Sequence, residues 1–180
     1  MNADYINLIP DIESKSYLEL GIGDRRSFDE VKAGTKKAVD PNGRGDFTMG
    51  TDEYFKTHRK KYDVIFIDAN HDYDNVLRDF NNAVKSCKEW VIVHDLIPPA
   101  EKYTAPRFCS DGYKLLSYLI HESGLEVYPM SENMGLTFIR MPAIPVYPPE
   151  GYKEMTFAQF GKGLADVKLY NKAEIESVLK

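Results

Sequence analysis

The chain has 180 residues, enough for one domain with a sizeable core but not for a second, substrate-binding domain. Its 23 Lys and Arg residues against 28 Asp and Glu residues give a net charge of −5, and the basic residues are scattered, so we expect no nucleic-acid or membrane partner. Two cysteines without metal-type spacing, no apolar run of membrane length and no signal-peptide pattern predict a cytoplasmic protein with free thiols.

The chain begins with a mixed stretch, residues 1–14, that predicts at most one or two helical turns. Residues 17–23 then predict a buried strand that turns sharply at Gly21 and Gly23, because glycine tolerates the backbone conformations of tight turns. Ser27, with a glutamate three residues later, has the capping-box pattern of a helix start.

The second predicted strand, residues 36–40, ends in Asp40, nineteen residues after Gly21. In nucleotide-binding α/β folds, an acid about 20 residues beyond the glycine turn holds the ribose hydroxyls. The alternative is an acid that only starts the Pro-Asn-Gly turn that follows.

The central part of the chain predicts alternating strands and helices. Residues 46–49 predict a short third strand, and residues 51–61 predict a helix capped at Thr51. Residues 62–68 are a continuous apolar run, which indicates a central parallel strand buried on both faces. The helical spacing of apolar side chains over residues 73–88 indicates the next helix.

Residues 90–95 repeat the strand pattern, a proline-containing loop follows over residues 96–107, and residues 111–123 predict a helix. The strands predicted at residues 125–129 and 135–141 are separated by too few residues for a helical crossover. We therefore expect them to pair as an antiparallel hairpin.

Residues 142–180 are rich in proline and aromatic residues and predict an extended arm, with a terminal helix over residues 174–179. We expect this extension to pack on the domain formed by residues 1–141, since exposed aromatic side chains form a sticky patch. The order of elements predicts an α/β fold: a doubly wound, mostly parallel, Rossmann-like sheet of about seven strands that ends in an antiparallel hairpin.

Ligands of such a sheet bind at the carboxyl ends of its strands. The residues there belong to five motifs in order: YLELGIG (17–23), AVDP (38–41), TDEYF (51–55), FIDANHDY (66–73) and VIVHD (91–95). A sixth motif, GLTFIRM (135–141), forms the last strand of the predicted hairpin. In these motifs the chain resembles the class I S-adenosylmethionine-dependent methyltransferases. It is most similar to their small single-domain branch with a Phe-Ile-Asp-x-x-His-x-Tyr motif and a later His-Asp pair. It departs from the pattern where a third glycine is absent after Gly23 and in the extension.

The resemblance implies S-adenosyl-L-methionine as the cofactor. The implied binding residues are Glu19, Gly21, Ile22, Gly23, Asp40, Thr51, Asp52 and Asp68. Among them, Glu19 and the glycines would line the methionine half, Asp40 would hold the ribose, and Thr51 and Asp52 would lie near the adenine. For Thr51 and Asp52 the alternative is a plain helix cap.

Methyl transfer to a hydroxyl needs either a base or a metal that lowers the hydroxyl pKa, and Asp68, His71 and His94 are the catalytic candidates. Likeness to metal-dependent O-methyltransferases implies a divalent metal site of Asp68, His94 and Asp95. Mixed nitrogen and oxygen ligands suit manganese better than magnesium. With a metal bound, His94 would be a ligand and His71 the base; without one, either can serve. Each histidine could instead simply bond a loop backbone.

The resemblance thus implies a methyltransferase of the EC 2.1.1 class, and we expect it to act on a small hydroxylated acceptor, such as a sugar. Two alternatives stay open: a protein that cleaves the cofactor, and a catalytically silent binding or scaffold protein. A homo-oligomeric state is also open. A dinucleotide oxidoreductase is disfavoured, because the Gly-x-Gly-x-x-Gly pattern fails at Arg26. The loops that would contact the acceptor carry no motif.

Overall fold

The computed structural model describes all of residues 1–180. Its helices are α1 (Ala3–Ile6), α2 (Arg26–Glu30), α3 (Thr51–Thr57), α4 (Tyr73–Ser86), α5 (Tyr113–His121), α6 (Phe157–Leu164) and α7 (Lys172–Leu179). Its strands are β1 (Ser16–Leu20), β2 (Thr35–Val39), β3 (Tyr62–Ile67), β4 (Cys87–Val93), β5 (Val127–Pro129) and β6 (Thr137–Arg140). Single 3₁₀ turns lie at Ile12–Ser14, Glu101–Thr104 and Glu150–Tyr152. None of the helices combines the length and apolar character that crossing a membrane requires.

The six strands form one sheet in the order β2-β1-β3-β4-β6-β5. Strands β1 to β4 pair in parallel, and β6 pairs antiparallel with both β4 and β5. The predicted doubly wound α/β fold with a closing antiparallel hairpin is therefore confirmed, with six strands in place of about seven.

The predicted third strand, residues 46–49, is wrong. Only Phe47 pairs with the sheet, through one bridge to Val39. The side chain of Asp46 explains this, because its carboxylate accepts the backbone N–H of Ala38 at 2.9 Å and so takes a hydrogen bond that a longer ladder would need.

Two predicted helix caps are also wrong. Ser27 lies inside α2, where its hydroxyl accepts the backbone N–H of Ala3 at 3.1 Å, and α2 instead follows Arg25 in a left-handed conformation. Thr51 is the first residue of α3 and follows Gly50, and its hydroxyl donates to Asp79 at 2.7 Å. In both cases a tertiary partner has replaced the local backbone partner.

The sheet is buried on both faces, as the continuous apolar runs predicted. Alternate residues of each strand point to opposite sides. Leu18 and Ile65 belong to a cluster of 24 buried residues covered by α3 to α6, whereas Tyr17 and Phe66 belong to a cluster of 18 covered by α1, α2 and α7.

The C-terminal extension contributes side chains to both clusters. Val146 and Phe160 are buried on the side of α4 and α5, and Ile175 is buried on the other side. Asn81 of α4 fixes the extended arm with two hydrogen bonds, because its side-chain amide donates to the carbonyl of Val146 at 2.8 Å and accepts its N–H at 2.7 Å. Helix α6, which the sequence pattern missed, lies between these points.

We expect Phe160→Ala to destabilise the protein strongly. Phe160 is 2% exposed and packs against Tyr113 with ring centroids 5.0 Å apart. Truncating such a buried ring costs about 3 kcal/mol or more, measurable as a lower urea midpoint. The matched control is Tyr147→Ala in the same extension, because Tyr147 is 80% exposed and its loss should shift stability by less than about 0.5 kcal/mol. Equal midpoints for the two variants would contradict the packing role of the extension.

Candidate active site

Two adjacent cavities open at the carboxyl edge of β1, β2 and β3. The larger, of about 650 Å³, has a mostly polar lining and a volume that suits a small-molecule ligand. The smaller, of about 360 Å³, shares Ile22, Gly23 and Asp68 with it. All the residues implied to bind the cofactor line one or both cavities: Gly21, Asp40, Thr51 and Asp52 the larger, Glu19 the smaller, and the three shared residues both.

The glycine turn after β1 serves two purposes. Gly21 has φ +79°, and a side chain there would collide with the backbone of Asp68 and Ala69. Gly23 has φ +49° and open space where a Cβ would project, so it leaves a bare backbone surface toward both cavities. Because α2 has only five residues, the turn itself supplies this surface and not a long helix.

Asp40 is buried where β2 ends, with 5% of its surface exposed. Its Oδ2 accepts the N–H of Ile22 at 3.3 Å and its Oδ1 accepts the N–H of Asn42 at 2.8 Å. Each carboxylate oxygen can accept a second hydrogen bond, so Asp40 keeps the capacity to bind a diol from the cavity.

Glu19 is 2% exposed and accepts a hydrogen bond from the Tyr17 hydroxyl at 2.6 Å. Burial raises the pKa of Glu19 to about 8, although the hydrogen bond from Tyr17 opposes the rise. A cation in the smaller cavity would stabilise the ionised form of Glu19.

Four ionisable side chains meet where β3 and β4 end. His94 Nδ1 lies 3.0 Å from Asp68 Oδ1 and 3.4 Å from Asp95 Oδ1. His71 Nε2 lies 3.3 Å from Asp95 Oδ2 and 3.6 Å from Asp68 Oδ1. The structure thus brings together all the predicted catalytic and metal-binding candidates, and Asp68 and His71 also line the larger cavity.

Burial acts to raise the pKa of Asp68, but the hydrogen bond from His94 and the charges of both histidines lower it overall. Burial acts to lower the pKa of His94, and its hydrogen bond to Asp68 with the charges of Asp68 and Asp95 raises it overall. The two shifts favour a pair of imidazolium and carboxylate. Because Nδ1 of His94 lies against Asp68, its Nε2 is the ring nitrogen left to take a proton or a ligand.

The ligand atoms that can share a cation belong to Asp68, His71 and Asp95, and they all lie within 4.8 Å of one another. His71 therefore stands in this group where the sequence predicted His94. The reason is local: Asp95 has φ +60°, which turns the chain after β4, and His94 has its Nδ1 at Asp68 and its Nε2 buried without a partner. Asp95 Oδ1 is likewise buried without a hydrogen bond, so this oxygen is free to bind a cation.

Sequence reasoning missed the wall of the larger cavity formed by α4. Arg78 and Asp79 follow Asn75 by three and four residues, so both lie next to it on the surface of α4, and all three line the cavity. Asp79 had a readable signal, because it interrupts the apolar face between Val76 and Phe80. No pattern pointed to Asn2, whose side chain donates to Asp68 Oδ2 at 3.4 Å.

The sequence matches no model of a protein family and no curated protein. Solved structures do match it. The SAH-bound methyltransferase PaMTH1 from Podospora anserina aligns with a TM-score of 0.58 and 16% identity over 77% of each chain. An O-methyltransferase from Bacillus cereus in complex with SAH aligns with a TM-score of 0.50 and 15% identity, over 77% of this chain and 79% of the other.

The fold is that of these methyltransferases. The spermidine synthase from Thermotoga maritima also aligns, with a TM-score of 0.53 and 17% identity over 98% of this chain and 68% of its own. Because a protein with that name shares the fold, the likeness establishes the fold and the reaction has to be argued from the site.

We expect Glu19→Gln to stabilise the ligand-free protein at alkaline pH. The pKa of Glu19 rises from 4.5 to about 8 on folding, so between these values the folded state holds more protons than the unfolded state. The free energy of unfolding contributed by this group therefore falls by about 1.4 kcal/mol for each pH unit between these two values. Glutamine removes this loss, so the gain in Tm should be small at pH 5 and several degrees at pH 8.5.

Thermal unfolding at the two pH values measures this, with Glu13→Gln as the control, because Glu13 is exposed. A Tm of Glu19→Gln at pH 8.5 below that of the wild type would contradict the burial argument.

Proposed function

We propose that this protein is an S-adenosylmethionine-dependent methyltransferase that methylates a hydroxyl of a small acceptor. One observation carries the proposal: every residue implied to bind the cofactor lines two cavities that join at Ile22, Gly23 and Asp68. A ligand with an amino-acid end and a nucleoside end fits such a pair. The cofactor supplies a methyl group on a sulfonium centre.

In this proposal the chain's own residues divide the cofactor between the cavities. Glu19 accepts a hydrogen bond from the α-ammonium group in the smaller cavity. The positive charge of that group lowers the cost of burying the Glu19 carboxylate. Asp40 accepts the two ribose hydroxyls in the larger cavity. Gly23 lines both cavities and has no side chain, so the amino-acid part of the cofactor can pass over its backbone from the larger cavity into the smaller one.

A divalent cation fits the group of Asp68, His71 and Asp95. Two carboxylates and one imidazole suit manganese or another transition ion. Such an ion lowers the pKa of a hydroxyl bound to it. The hydrogen bonds of His94 and Asn2 to opposite oxygens of Asp68 then fix the orientation of that carboxylate.

The acceptor is proposed to be polar, such as a sugar. Twelve of the 20 residues that line the larger cavity have polar or charged side chains, and Arg107 and Phe108 of the loop after β4 close one side. A sugar combines hydroxyls for such groups with an apolar ring face for an aromatic side chain. Incubation with a panel of hydroxylated compounds, followed by detection of SAH, tests transfer; consumption of S-adenosylmethionine without any acceptor and without SAH formation would support cofactor cleavage instead.

We expect the wild type to bind S-adenosylmethionine and SAH, and Asp40→Asn to weaken both by about tenfold or more. The substitution keeps the shape of the side chain but removes the charge that strengthens two hydrogen bonds to the ribose. Titration calorimetry measures the affinity, with Asp29→Asn on α2 as the control, because Asp29 is exposed and lines neither cavity. Unchanged affinity in Asp40→Asn would remove the ribose assignment.

We expect the protein to bind Mn²⁺, and Asp95→Asn and His71→Gln each to weaken that binding by about tenfold or more, because each removes one ligand. His121→Gln is the control, since His121 is an exposed histidine of α5. If His71→Gln retains the Mn²⁺ affinity of the wild type, His71 is not a ligand of the ion.

A further inference from the structure

Asp79 is a buried carboxylate, and none of the cofactor groups assigned above to Glu19 and Asp40 contacts it. It is 1% exposed and lines the larger cavity. The Thr51 hydroxyl donates to its Oδ1 at 2.7 Å, and Arg78 Nε lies 3.7 Å from the same oxygen. No hydrogen bond reaches its Oδ2. Burial raises the pKa of Asp79 to about 6, so the group is a carboxylate at neutral pH and favours a further donor.

The chain has three carboxylates that are fully buried, and all of them line the two cavities: Glu19, Asp40 and Asp79. S-adenosylmethionine has three groups that donate hydrogen bonds, the α-ammonium group, the ribose diol and the exocyclic amino group of adenine. Glu19 and Asp40 account for the first two. One buried acceptor and one donor group are left.

The position of Asp79 agrees with this match. It lies six residues along α4 from the first residue, Tyr73, or about 9 Å at 1.5 Å per residue, whereas Asp68 and His71 precede that helix. Its partner Thr51 begins α3, in the segment that the resemblance places near the adenine.

We propose that Asp79 selects the base of the cofactor, with its Oδ2 accepting a hydrogen bond from the exocyclic amino group of adenine. This inference rests on the proposed function. The Thr51 hydroxyl holds the other oxygen and so fixes the plane of the carboxylate. Asp79 is a specificity residue, and it takes no part in the methyl transfer.

The test compares two ligands on two proteins. The ligands are SAH and its 6-deamino analogue, in which purine replaces adenine. The proteins are the wild type and Asp79→Leu, whose side chain has a similar size but accepts no hydrogen bond. The wild type should prefer SAH by about ten- to a hundredfold, the strength of a hydrogen bond to a charged group, and Asp79→Leu should bind both ligands about equally. Asp74→Asn, an exposed acid of α4, should keep the preference of the wild type.

The outcomes separate the two proposals. If the wild type binds neither ligand, the proposed function fails. If the wild type binds both ligands equally, or Asp79→Leu weakens both by the same factor, the cofactor proposal stands but Asp79 only supports Thr51 and α3. Asp79→Asn, which retains a neutral acceptor, should show an intermediate preference and serves if the leucine variant does not fold.

Discussion

At Gly21 the turn after β1 passes so close to the backbone that follows β3 that no side chain could fit between them. The approach is held by hydrogen bonds across three neighbouring strands: Gly21 donates to Val39, and Asp68 donates to Leu20. Together these contacts fix where β1, β2 and β3 end relative to one another. Most side chains that line the two cavities follow these strand ends or lie on the helices after them, so their positions depend on this backbone contact, whereas His94 and Asp95 follow β4.

The site concentrates buried charge, which is costly in a protein of this size. Glu19, Asp40 and Asp79 are enclosed with one or two hydrogen bonds each, and Asp95 has an oxygen with none. A fold selected for stability alone would place apolar residues at such positions. In the proposed complex, cations and hydrogen-bond donors in the cavities would offset this cost and so couple the stability of the protein to ligand binding.

Much of this organisation could be predicted from the sequence, because it depends on local patterns. The apolar runs located the central strands, and the spacing from Gly21 to Asp40 located the cavity edge. The errors arose where a distant group decided the outcome. Asp46 bonds across to β2, and Thr51 turns from its own helix toward Asp79, so neither follows its local propensity. Whether His71 or His94 is the ligand stays a prediction, and the folded positions of the rings, which no pattern of residue types reveals, group His71 with Asp68 and Asp95.

Tyr170 of the extension adds one parallel bridge to the outer edge of the sheet, where its N–H donates to Pro129 and its carbonyl accepts from Ser131. The chain reaches Tyr170 only forty residues after Met130, its partner in that bridge. At about 5–20 residues per second of synthesis, the edge of β5 stays uncovered for several seconds in the nascent chain. An uncovered strand edge can pair with another chain, so the late arrival of Tyr170 leaves this edge open to misassembly during that interval.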